Sequence, residues 1–149
     1  TINTPSMLAV EDALDSLKWA ESVGGVKGTI ARTEANFRVT DAWVRATPWI
    51  DYLASDPAFR SHTSVCLRFT DPWLDTQDDD FRTGIGKRIG AILEEEGVAF
   101  DIGSYRTAPA GVRIWNGATV ETADLEALYP WLDWAWASVK TETEGGNHG

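Results

Sequence analysis

With 149 residues, 43% of them hydrophobic and 11% aromatic, the chain has the length of one domain and can bury a real core. Its formal net charge of −10 excludes a nucleic-acid surface, because arginines scattered among carboxylates would not displace counterions from a phosphate backbone. The composition also argues against a membrane partner, since no apolar stretch approaches the roughly 20 residues that span a bilayer.

The chain opens Thr1-Ile2-Asn3-Thr4-Pro5-Ser6, without an initiator methionine, and is read as cut from a longer polypeptide. Thr4 suits an N-cap and Pro5 a first helical position. Met7, Val10, Leu14 and Leu17 then recur at helical spacing up to Trp19, and Gly24-Gly25 stops the helix. A second helix runs from Val26 to about Ala46, with Pro48 beyond its end. Trp49 to Leu53 reads as a short strand, and Thr63 to Phe69 as a better one, with Val65, Leu67 and Phe69 on one side.

Cys66, the only cysteine, sits in the apolar run Val65-Cys66-Leu67 and is expected to be a buried thiol. A lone thiol forms no internal disulfide, and no signal peptide precedes it, so the expected compartment is the cytoplasm.

An acidic loop follows from Asp71 to Asp80, and Phe81, Ile85, Ile89 and Ile92 mark a third helix closed by Gly97. Val98, Phe100 and Ile102 alternate as a strand, and Val112 to Trp115 reads as another. Thr122 caps a short helical segment that Pro130 is expected to interrupt, with a new helix reaching Val139. Residues 141–149 are polar and glycine-rich and are expected to be disordered. The pattern predicts an α+β fold, a small and mainly antiparallel sheet covered by helices.

Three tempting motifs have ordinary readings. Gly84, Gly86, Lys87, Arg88 and Gly90 imitate a phosphate loop, yet Phe81, Ile85 and Ile89 run through them at helical spacing. Asp78-Asp79-Asp80 lacks the alternating ligands, central glycine and distal glutamate of a calcium loop, and suits a helix start instead. His62 and His148, the two histidines, have no spacing that builds a catalytic or zinc set, so no metal is expected.

Two places invite chemistry. Asn3 to Ser6 gathers an amide, two hydroxyls and a helix start, a combination that suits a phosphate and equally a plain capped helix. Arg113 lies between Val112 and Ile114 in an apolar strand, where a guanidinium either reaches a protein carboxylate or receives an anionic ligand bidentately.

Thr1 to Leu8, Thr47 to Asp51, Arg60 to Leu67, Glu95 to Arg106, and Gly111 to Glu121 through Trp131 to Ala135 together resemble the C-terminal portion of phosphoserine aminotransferases, fold-type I enzymes that use pyridoxal 5′-phosphate (PLP). The stretches occur in family order over nearly the whole chain. The resemblance implies a homodimer converting 3-phosphohydroxypyruvate and glutamate into phosphoserine and 2-oxoglutarate in serine biosynthesis. It implies a missing N-terminal large domain, a segment and helix at 1–25 leading from it, and a C-terminal small domain at 26–140. Asn3 and Thr4 match residues that reach the cofactor phosphate of the neighbouring subunit. Arg113 matches the arginine for the substrate α-carboxylate, and Arg106 a second arginine for the substrate's anionic groups.

Tyr105 stands where the familiar bacterial branch has a histidine, and Ile114-Trp115 where it has small residues. A sibling aminotransferase acting on serine or alanine with glyoxylate or pyruvate is the enzymatic alternative, and a non-catalytic α/β binding or oligomerisation domain the other. None of the lysines, Lys18, Lys27, Lys87 and Lys140, matches the Schiff-base lysine, so the chain by itself is expected to be inactive. Arg113 is expected to project from a strand toward an open face, and the first helix to expose an apolar stripe.

Overall fold

The computed structural model describes residues 6–103 and 108–146. Two long helices, α1 (Met7–Ser22) and α2 (Gly25–Ala46), are followed by strands β1 (Ile50–Tyr52) and β2 (Ser64–Phe69), helix α3 (Asp79–Glu95), strand β3 (Gly111–Trp115) and helix α4 (Thr122–Gly146). The strands form one antiparallel sheet in the order β1-β2-β3. This is the expected α+β layer, with three strands in place of four.

The local causes are legible. Ser6 caps α1 by accepting from the Ala9 N–H at 3.4 Å, two residues later than Thr4, which lies with Pro5 outside the described residues. Gly24 turns α1 into α2 at φ 101°, a left-handed conformation that costs glycine nothing. Asp78 caps α3 through the Phe81 N–H at 2.7 Å, and Asp79 and Asp80 sit in its positive first turn. The glycine-rich stretch 84–90 is the middle of α3, as its spacing indicates.

One face of the sheet is the core. Val65 and Leu67 of β2 and Val112 and Ile114 of β3 pack beneath Ile85, Ile89 and Leu93 of α3 and Leu132, Ala135, Trp136 and Val139 of α4. Gly86 lets α3 come down onto β3, since a Cβ there would stand 2.4 Å from the Gly111 carbonyl oxygen. At the other end, Trp49 and Trp136 stack at 4.8 Å, and an Asp133 carboxylate accepts from the indoles of Trp43 and Trp49 at 3.3 and 3.2 Å.

A buried polar knot ties α2 to the segment after β3. Asn36 donates to the carbonyls of Asn116, Gly117 and Val120. Thr40 Oγ1 donates to the Asn36 carbonyl at 3.1 Å, receives the Asn116 amide at 2.6 Å, and lies 2.5 Å from the Tyr129 hydroxyl. Burial pushes the Tyr129 phenol up to about 12, which keeps it a donor at any ordinary pH.

Four expectations are corrected. Cys66 is exposed: strand alternation that buries Val65 and Leu67 turns the residue between them to the opposite face, whatever its flanks suggest. Pro130 does not interrupt α4. Leu125, Tyr129, Leu132, Ala135, Trp136 and Val139 share the helix face that enters the core, and such side chains contribute about 1.5–3 kcal/mol each, against about 3 kcal/mol for an interior proline. The same helix carries residues 141–146, where a disordered tail was expected, through Thr141 and Thr143 hydroxyls returned to the carbonyls of Ala137 and Val139. Residues 98–102 are not a strand: Asp101 has φ 52°, which breaks the extended run, leaving a bridge between Gly103 and Val112 and an Arg113 N–H bond to the Ile102 carbonyl at 2.8 Å.

Helix α1 contributes no buried residue, and Met7, Leu8, Leu14 and Leu17 are exposed along it. Among the described residues no helix is long and apolar enough to cross a membrane.

Candidate functional site

The second face of the sheet bears the polar chemistry. Alternation in β2 and β3 puts Ser64, Cys66, Arg68, Arg113 and Trp115 on the side opposite the core. Arg68 is drawn toward β1, donating to the Tyr52 carbonyl at 3.2 Å and to Asp51 Oδ2 at 3.3 Å. Arg113 leans the other way, over the outer edge of the sheet, and donates to Asp101 Oδ2 at 3.1 Å.

That edge opens into a groove of about 710 Å³ between β3, the 98–102 segment and the first turns of α4. Arg113, Asp101, Asp124 and Ser64 supply its polar groups, and Val98, Leu125 and Leu128 its apolar floor. The Arg113 side chain is 20% exposed while Asp101 is 90% exposed, so the guanidinium is held in the wall and its carboxylate partner stands in solvent. The Arg113 guanidinium stands at the mouth of the groove, and its planar fork has the geometry that pairs with a carboxylate.

Of the site residues expected from sequence, only Arg113 falls among the described residues; Asn3, Thr4 and Arg106, with Tyr105, lie outside them. Asp101 was not anticipated. Its signal was present only as a polar residue between Phe100 and Ile102 in a run that otherwise alternates.

No lysine lines the groove. Lys18, Lys27 and Lys87 are exposed on helices, and Lys140 binds Asp71 at 2.8 Å beside the Trp73 ring. The residues of this chain therefore do not fit an anchored PLP, and no chemical step through that group can be assigned to it. Among the described residues no group of three or more His, Cys, Asp or Glu side chains is arranged to hold a metal ion.

Sequence comparison gives a relationship over nearly the full chain. It is 51% identical over 140 residues, 94% of its length, to phosphoserine aminotransferase of Methanosarcina barkeri, and 30% identical over 136 residues to that of a Nocardioides species. Superposition on the solved phosphoserine aminotransferase from Bacillus circulans subsp. alkalophilus gives a TM-score of 0.70 over 91% of the chain at 20% identity. The chain matches the C-terminal portion of phosphoserine aminotransferases.

The chain spans about a third of these relatives, covering 35% of the Methanosarcina protein, 33% of the Nocardioides protein and 34% of the Bacillus chain. A second solved phosphoserine aminotransferase, described for radiation damage of its Schiff base, superposes with the same TM-score of 0.70 at 16% identity over 89% of the chain and 34% of its own. A plant 4-hydroxyphenylacetaldehyde synthase from Rhodiola rosea shares the fold more loosely, at a TM-score of 0.59 over 76% of the chain and 23% of its own. No protein-family model matches.

Proposed function

We propose that this chain is the substrate-binding C-terminal part of a PLP-dependent phosphoserine aminotransferase, exchanging an amino group between glutamate and 3-phosphohydroxypyruvate in serine biosynthesis. The observation that carries the reading is Arg113, a wall-held guanidinium beside an open groove with a solvent-exposed carboxylate as its partner. In this reading Arg113 clamps the substrate α-carboxylate and displaces Asp101. Arg106 takes a second anionic group, and Asn3 and Thr4 reach the cofactor phosphate of the neighbouring subunit of a homodimer. PLP supplies the carbonyl that accepts the amino group, and its lysine belongs to a large domain outside this chain. Residues 1–25 lead from that domain into a small domain that begins at 26 and includes all of α4. The exposed apolar stripe of α1 supports such a neighbour. Alone, the chain would be inactive, and the assembled enzyme would work in the cytoplasm.

The test is transaminase activity of a longer polypeptide that joins this chain to its large domain, assayed with phosphoserine and 2-oxoglutarate. Arg113→Lys is expected to raise KM for phosphoserine by about 10–100-fold, because an ammonium lacks the bidentate fork. Turnover of serine or alanine with glyoxylate in place of phosphoserine would favour the sibling reading, for which Tyr105 at the bacterial histidine position is the supporting departure. Unchanged kinetics in Arg113→Lys would remove this arginine from the site.

A further inference from the structure

The outer face of α4 presents an aromatic platform that the proposed aminotransferase reaction does not use. Trp131 and Trp134, three residues apart on the helix, meet edge to face with ring centroids 5.4 Å apart. They are 38% and 43% exposed, while Leu132, Ala135 and Trp136 on the opposite face are core. With Pro130 and Glu96 they line an open groove of about 450 Å³. Glu94, Glu95 and Glu96 stand together and exposed at the C-terminal end of α3, where the helix dipole disfavours carboxylates. None of the three is in an ion pair among the described residues.

Exposed indole faces attract cations, and a carboxylate at their rim adds to that attraction. A second copy of a chain carrying a net charge of −10 is a poor occupant for an acid-rimmed groove. We infer that the Pro130-Trp131-Trp134 groove docks a basic segment of a partner protein, with a lysine or arginine side chain against the indoles and Glu96 as its counter-ion.

Acetyl-tetralysine amide titrated into the ¹⁵N-labelled chain, with acetyl-tetraglutamine amide as the uncharged control, tests this. Saturable shifts confined to the Trp131 and Trp134 indole N–H signals and the Glu96 amide are expected. They should weaken at least fivefold in Glu96→Gln and vanish in the Trp131→Ala/Trp134→Ala double variant. The buried Trp49 and Trp136 signals report whether each variant still folds. Shifts spread over the whole acidic surface, an equal response to the glutamine peptide, or undiminished binding by a folded double variant would overturn the inference. Concentration-dependent shifts of the same indoles without peptide would assign the groove to self-association instead.

Discussion

Cys66 stands directly opposite Arg113 in the β2–β3 ladder, and both side chains rise from the face of the sheet that the core leaves uncovered. Cross-strand partners of this kind have Cβ atoms about 4.5–5.5 Å apart, so a charged group attached to the thiol stands beside the Arg113 stem. Iodoacetate and iodoacetamide should both alkylate Cys66 in the folded chain. In the proposed function, the carboxymethyl adduct competes for Arg113 and weakens phosphoserine binding, seen by ³¹P NMR, by more than the neutral carbamidomethyl adduct does. Equal effects of the two adducts would show that charge at Cys66 does not reach Arg113.

Asp101 combines a left-handed backbone with the carboxylate that Arg113 holds. Asparagine tolerates that backbone and removes the charge, so Asp101→Asn should stay close to the parent protein in stability. Asp101→Ala keeps a Cβ at positive φ but loses the short polar side chain that makes this backbone tolerable, and should cost about 1 kcal/mol of stability by urea denaturation. Asp101→Gly removes the Cβ that both aspartate and alanine carry and should be more stable than Asp101→Ala.

Gly84 and Gly86 lie two residues apart in α3 and are expected to respond oppositely to alanine. No atom comes within 4 Å of a Cβ at Gly84, and the helical propensity gained is about 0.5–1 kcal/mol. At Gly86 the new methyl would press on the Gly111 carbonyl, an overpacking of about 1–3 kcal/mol that exceeds the same propensity gain. Chemical denaturation of the two single variants should give opposite signs.

Thr40→Val deletes the hydroxyl that joins three partners at the centre of the buried knot. It would leave the Asn116 amide without its acceptor and remove the Tyr129 hydroxyl's contact at a fully buried position. A loss of about 2–3 kcal/mol is expected. Tyr129→Phe should cost less, about 1 kcal/mol, since Thr40 keeps its bonds to Asn36 and Asn116.

Asp71 connects the loop before α3 to Lys140 on α4. Burial alone would raise its carboxyl, but the Lys140 and Trp73 N–H hydrogen bonds outweigh that, and the net shift is downward from 3.8. A carboxyl lowered by folding contributes stability above its unfolded value and loses that contribution as pH falls through the folded one. The chain should therefore lose this contribution only below about pH 4. Asp71→Asn, which keeps an acceptor for the Trp73 N–H, should lower the thermal midpoint at pH 7 and narrow its difference from the parent protein below pH 4.

Sequence by itself determined the helices α1, α2 and α3, the strands β2 and β3, the α+β class and the match to the C-terminal portion of phosphoserine aminotransferases, because period and chain-order resemblance are local or cumulative signals. The place of Arg113 in β3, between two buried apolar residues, was legible too. Tertiary structure decided what depends on neighbours distant in the chain. Pro130 stays inside α4, on its exposed side, because the opposite face of that helix is buried by α3 and the sheet, and no local propensity carries that information. Cys66 faces out because sheet alternation, rather than the character of its flanks, assigns sides. The carboxylate opposite Arg113 comes from a backbone reversal at Asp101, a single dihedral choice that turns an apparent strand into the rim of the groove.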